Sequence, residues 1–141
     1  MGYVLRVSCK CRENDVRIGG GFLDSEDRTL NSVRHGYFGS EAQKLVQNDE
    51  SVTIDCDPVP YICEKCGNVV ARKPYDLYRP KNGKEVSLED EDDPVLIWKC
   101  AHKCPECHSL MMKLESDEDL PEMKCPRCGE NYKTEITCFI D

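Results

Sequence analysis

Apolar and polar residues alternate from Tyr3 to Ser8, placing Tyr3, Leu5 and Val7 on one face of a predicted strand that runs straight into Cys9-Lys10-Cys11. Val16 to Ile18 offers a hairpin partner, and Gly19-Gly20-Gly21 ends the pattern. Three glycines without the rest of a phosphate-cradling motif read as a turn or bulge. Ser40-Glu41-Ala42-Gln43 has the form of a capping box and predicts a short helix to about Asn48, with Ala42, Leu45 and Val46 turned inward. Val52, Ile54 and Cys56 alternate as a further strand. Pro58 and Pro60 interrupt before Tyr61-Ile62 enters Cys63-Glu64-Lys65-Cys66-Gly67, and Val69 to Ala71 leave that turn as another strand. Val95 to Trp98 is apolar again. Leu110 to Leu114 and Tyr132 to Ile140 predict the paired strands of a C-terminal ribbon, with Glu115 to Glu122 an exposed loop between them and Met111 and Met112 as packing residues.

Charge divides this pattern. Arg72 to Lys84 carries five cations and one carboxylate, and Glu85 to Asp93 carries six carboxylates. Opposite blocks side by side read as a solvated linker. The expected organisation is an N-terminal zinc-ribbon-like unit over 1–71 with an inserted loop and helix, a linker over 72–93, and a C-terminal zinc ribbon over 94–141. The fold class is a small α+β protein, mostly β: two ribbon-like units with one short helix.

Composition points to metal. Of 141 residues only 39% are apolar and 7% aromatic, so the chain is short of core and calls for cross-links. It has eleven cysteines. No charged-then-apolar leader precedes the first of them, no run approaches a membrane span, and Arg6 stands where myristoylation wants Ser or Thr. A cytoplasmic protein without membrane contact is expected, and there thiols stay reduced and favour metal over disulfides.

Cys104-Pro105-Glu106-Cys107 and Cys125-Pro126-Arg127-Cys128 fall within the spacing of a four-thiolate zinc site, because each C-x2-C turn converges two sulfurs on one ion. The prolines preset φ in the turns. Gly129 supplies the left-handed residue on leaving the second turn, and His108, which tolerates that conformation, stands at the corresponding place in the first. Cys63 and Cys66 need two further ligands. Cys9 and Cys11 are the best supply, since closing the intervening loop costs entropy that grows slowly with length. Cys56, Cys100 and His102 are the competing ligands. Cys56, Cys100 and Cys138 read better as small apolar side chains, and no geometric argument favours a Cys56–His35 nucleophile pair.

The order of motifs is itself familiar: the MGY strand, a Cys pair, GGGF, a helix, Y-x-C-x-x-C-G, a charged segment, then KCPxC and CPxCG. The whole chain resembles a group of small prokaryotic zinc-ribbon proteins, and its knuckles resemble those of rubredoxins. The resemblance implies two four-cysteine zinc sites in two ribbon-like units and names no activity. The chain departs from it in the C-x-C spacing of Cys9 and Cys11, and in His108 where ribbons commonly have Gly.

The function expected is a non-catalytic module, not an enzyme. Two structural zinc ions would support a surface for another macromolecule, most readily a protein. With closed four-thiolate coordination no position remains for a reactive water. The formal charge is −8, and two four-thiolate sites with divalent ions would take it to about −12, a sign that repels phosphate backbones. One alternative is single-stranded nucleic-acid binding by Arg72, Lys73, Arg79, Lys81 and Lys84, with Tyr75 and Tyr78 as stacking faces. Another is iron in place of zinc, with rubredoxin-like electron transfer.

Overall fold

The structure is a computed structural model that describes residues 2–19, 26–80 and 94–140. Among these residues the chain is mostly β, with three small antiparallel sheets and three helices. Two compact units emerge. One comprises Met1–Gly21, Asp57–Pro74 and Ala101–Asp141; the other comprises Phe22–Cys56 and Tyr75–Cys100. The division therefore does not run along the chain as the charged segment suggests: the second unit is a double insertion into the first. Of the charged segment, residues 81–93 lie outside the described residues, as do Gly20 and Gly21.

In the first unit, β1 (Gly2–Cys9) pairs with β2 (Arg12–Gly19) through a two-residue turn, Lys10-Cys11, so that Cys9 faces Arg12. Period-two alternation buries Leu5 and Val7 on one face, with Val16 opposite Leu5. The other edge of β1 is taken by β9 (Lys133–Ile140), in register from Ser8↔Lys133 to Gly2↔Ile140, with a bulge where Thr137 is extra. A second sheet has the order β5-β4-β8: β4 (Val59–Ile62) pairs with β5 (Val69–Arg72) across a knuckle, and with β8 (Met112–Lys113) on its other side.

These pairings correct the expected C-terminal ribbon. The strands near 110–114 and 132–140 do not pair with each other; each adds to a sheet begun by the N-terminal half. Leu110 is largely exposed, and only Met112 and Lys113 are extended in a ladder. The segment 115–122 is not an open loop either. Ser116 caps a 3-10 helix over Asp117–Glu122, its hydroxyl accepting from the Glu118 N–H at 3.2 Å, and Leu120 is fully buried in the core with Leu5, Val7, Ile62 and Tyr132.

The second unit holds α1 (Glu26–Arg34), α2 (Ser40–Val46) and a sheet of order β3-β6-β7, formed by Thr53–Ile54, Leu77–Arg79 and Val95–Trp98. Its core is Leu30, Val33, Ala42, Val46, Val52, Ile54 and Leu77. The helix α1 lies beyond the one helix expected: it shows one apolar i, i+3 pair, Leu30 and Val33, and is otherwise polar, with Glu26 and Asp27 favourably placed at its N-terminal dipole. The capping box at α2 is also different from its reading. Gly39 is the N-cap, no side chain caps the helix, and the Gln43 amide instead donates to the Arg34 carbonyl at 2.9 Å, linking the two helices.

Candidate metal centres

Eight cysteines gather into two groups within the first unit: Cys9, Cys11, Cys125 and Cys128, and Cys63, Cys66, Cys104 and Cys107. In each group one sulfur from every residue lies within 4.8 Å of the others. The grouping is crossed relative to the sequence reading, which joined Cys9 and Cys11 to Cys63 and Cys66, and Cys104 and Cys107 to Cys125 and Cys128. Strand pairing is the reason. Ser8 faces Lys133, so the turn preceding β9 arrives beside Cys9; Ile62 faces Met112, so the turn preceding β8 arrives beside Cys63.

Sulfur spacing tests whether a metal fits. Cys9–Cys11, Cys11–Cys125 and Cys66–Cys104 are each 3.6 Å apart, and Cys63–Cys107 is 3.3 Å. A disulfide needs about 2.0 Å. Four thiolates at about 2.3 Å from one zinc ion, at the corners of a tetrahedron, lie about 3.8 Å from one another. The observed spacing is close to that of a tetrahedral thiolate cage, so both donor sets fit a metal ion.

Each C-x2-C turn has the same backbone. The first Cys N–H donates to the carbonyl five residues on, and its carbonyl accepts from the N–H four residues on. These bonds are Cys63 to Asn68 and Gly67 to Cys63, both 2.8 Å; Cys104 to Ser109 and His108 to Cys104, 2.8 and 2.9 Å; and Cys125 to Glu130 and Gly129 to Cys125, 2.9 and 2.8 Å. Gly67, His108 and Gly129 turn the chain out with φ of 83°, 62° and 72°. His108 adopts the left-handed conformation expected of it. We call the group made of two such turns the knuckle site. The other, made of one turn and the β1–β2 hairpin, is the hairpin site.

The two sites differ in access. Cys63, Cys66 and Cys104 are buried, whereas in the hairpin site Cys125 alone is buried and Cys11 is exposed. Protonation is uneven within each. Hydrogen bonding from the Ser109 hydroxyl and N–H brings Cys107 down to about 6, and although burial pushes Cys125 up, the Cys128 and Arg127 N–H groups and the Cys11 and Cys9 thiols bring it to about 6. The Glu130 N–H holds Cys128 below the usual thiol range. Burial raises Cys9 and lifts Cys66 to about 12; the Cys9 thiol, more than burial, lifts Cys11 to about 12. Cys107 and Cys125 thus offer ready thiolates, and Cys9, Cys11 and Cys66 supply sulfurs that must shed protons to bind.

The two sites are back to back. A side chain on Gly67 of the knuckle site would place Cβ 2.8 Å from Cys125 Sγ and 3.0 Å from Tyr132 Oη, and the Tyr132 hydroxyl donates to the Gly67 carbonyl at 2.8 Å. Asn68, itself buried, points its Nδ2 at Cys104 Sγ at 3.7 Å and accepts from Asn14 Nδ2 at 2.9 Å.

The competing ligands lie elsewhere. His102 Nε2 contacts the Pro74 carbonyl at 2.9 Å and its ring sits 4.8 Å from Tyr61. Cys56 and Cys100 are half-buried, the latter donating its N–H to buried Asp76, whereas Cys138 is exposed on β9 rather than packed. The His35 ring, just past the end of α1, meets the Asn31 carbonyl of that helix at 2.6 Å. Among the nucleic-acid candidates, Arg72 ends β5 in the first unit, with Lys73 just beyond it. In the second unit Tyr75 packs against Phe38 at 5.1 Å, Tyr78 lies half-buried in β6, and Arg79 pairs with Asp49 at 2.8 Å. Lys81 and Lys84 are outside the described residues. No helix among the described residues is long and apolar enough to cross a membrane.

No protein-family model, curated protein or solved structure matches the chain.

Proposed function

We propose that the protein is a non-catalytic zinc-binding module of zinc-ribbon type, whose two four-thiolate sites replace a hydrophobic core and hold up a surface for another macromolecule. The observation that carries this reading is the pair of closed four-cysteine cages at near-tetrahedral sulfur spacing. The packing around the knuckle site points the same way, because its cluster consists of Cys63, Cys66 and Cys104 with Cys107 and Met111 against them, and the thiols themselves are the interior. Zinc suits a site that needs no redox change and offers no open position; iron would fit the same four sulfurs. A protein partner suits the formal charge of −8 better than a phosphate backbone.

Removing metal from the purified chain under reducing conditions tests the structural role. The expected result is collapse of amide chemical-shift dispersion for the first unit and its recovery on adding back zinc. A chain that keeps its dispersion without metal contradicts the reading. Titration with a single-stranded RNA oligomer at low salt separates the macromolecular classes, since binding there would favour the nucleic-acid alternative.

A further inference from the structure

Arg12 is a cation that reaches from one site to the other. Arg12 follows Cys11 directly and closes the hairpin opposite Cys9, which makes it part of the hairpin site's framework. Its Nη2 donates to Glu106 Oε2 at 2.8 Å, and Glu106 sits within the Cys104–Cys107 turn of the knuckle site. The side chain is 12% exposed although it carries a full charge. Its Nε is cut off from solvent and meets no acceptor among the described residues. Arg12 also lines, with Cys9, Val69 and Tyr132, a gap too tight for water. A buried guanidinium with an unused N–H is costly unless negative charge nearby offsets it. Glu106 is a partial answer, being half-exposed and screened. Each four-thiolate cage with a divalent ion carries a net charge of about −2, and such cages are stabilised by donors and cations placed around them.

We infer that Arg12 is a shared counter-ion for both metal centres, supporting ion binding at the knuckle site as well as at the hairpin site beside it. The inference rests on the metal-binding reading above. Two filled cages of about −2 each, placed back to back, repel, and a cation between them offsets that repulsion.

Cadmium-113 is the probe, because each four-thiolate site gives its own resonance, assignable through coupling to cysteine β-protons. The full chain loaded with cadmium is titrated with a chelator, and each resonance is followed in the unaltered protein, in Arg12→Gln, in Arg12→Lys and in Arg17→Gln, which removes an exposed cation from β2. The expected result is a loss of affinity of about 10–100-fold at both sites in Arg12→Gln, most of it restored in Arg12→Lys and absent in Arg17→Gln. Loss confined to the hairpin site, or equal loss in Arg17→Gln, overturns the shared role while leaving both metal sites intact. Failure of Arg12→Lys to recover the knuckle site assigns the effect to packing and overturns it too. Absence of any cadmium resonance from the unaltered chain overturns the metal reading itself and this inference with it.

Discussion

The knuckle site and the hairpin site hold four sulfurs each, yet they are built by different means. Two superposable C-x2-C turns make the first, with their backbone N–H groups folded around the cysteines and three of the four residues buried. The second replaces one turn with a β-hairpin whose two-residue loop leaves Cys11 in solvent. A turn that shields its sulfurs makes a slow, structural site. A hairpin that presents one of them to water and to competing ligands makes the more labile one, and the hairpin site should give up its ion first.

Substitution of single cysteines is the largest test of that difference. Cys104→Ser removes a buried cysteine from the interior of the knuckle site; with zinc as the bound ion, as proposed, it should forfeit most of the roughly 10–16 kcal/mol that such a site can contribute and unfold the first unit. Cys11→Ser should leave the fold in place and speed release of one ion, as read by native mass spectra during chelation. Equal outcomes would erase the distinction.

Gly67→Ala sharpens it by attacking both sites from one position. The added methyl meets Cys125 Sγ at 2.8 Å, and the backbone holds a φ of 83°. Destabilisation of about 3 kcal/mol is expected, by strain and overpacking together, with weakened binding at the two sites in parallel. Calorimetry with metal-loaded protein measures it.

Proton release distinguishes the hairpin site next. Without metal its Cys9 is raised above the usual thiol value and its Cys11 lies at about 12, so both are protonated near neutrality and both protons leave on binding. Affinity at this site should therefore rise by at least about a hundredfold per pH unit between pH 7 and 8, with no fewer than two protons released per ion. Below about pH 6 the Cys125 thiolate also takes up a proton, and the dependence should steepen. Isothermal titration in buffers of different ionisation enthalpy counts the protons directly.

The smallest effect belongs to the link between the sites. Tyr132→Phe deletes the hydroxyl that donates to the Gly67 carbonyl and should cost about 1 kcal/mol of stability. Chemical denaturation of the metal-loaded protein measures it.

The local parts of this design were legible in the sequence, and the long-range parts were not. Cys-x-x-Cys turns, the left-handed residue after them at His108 and Gly129, and the β1–β2 hairpin are encoded within a few residues, where spacing and backbone sterics decide the conformation. Which turn meets which is decided by strand register between segments far apart in the chain, which brings Cys11 beside Cys125 although 114 positions separate them. The one available hint was length: Lys133–Ile140 offers eight extended residues, as Gly2–Cys9 does, while the segment after Cys107 pairs through Met112 and Lys113 alone. Joining neighbours along the chain yields the wrong cages for that reason. The helix over Glu26–Arg34 escaped because two apolar residues in nine make a weak periodic signal, and its stability comes from packing Leu30 and Val33 against the core of the second unit.

Correlation of bound cadmium-113 with cysteine β-protons reads out the crossed grouping of the cysteines. One ion should couple to Cys9, Cys11, Cys125 and Cys128, and the other to Cys63, Cys66, Cys104 and Cys107. An ion coupled to Cys9, Cys11, Cys63 and Cys66 would contradict it.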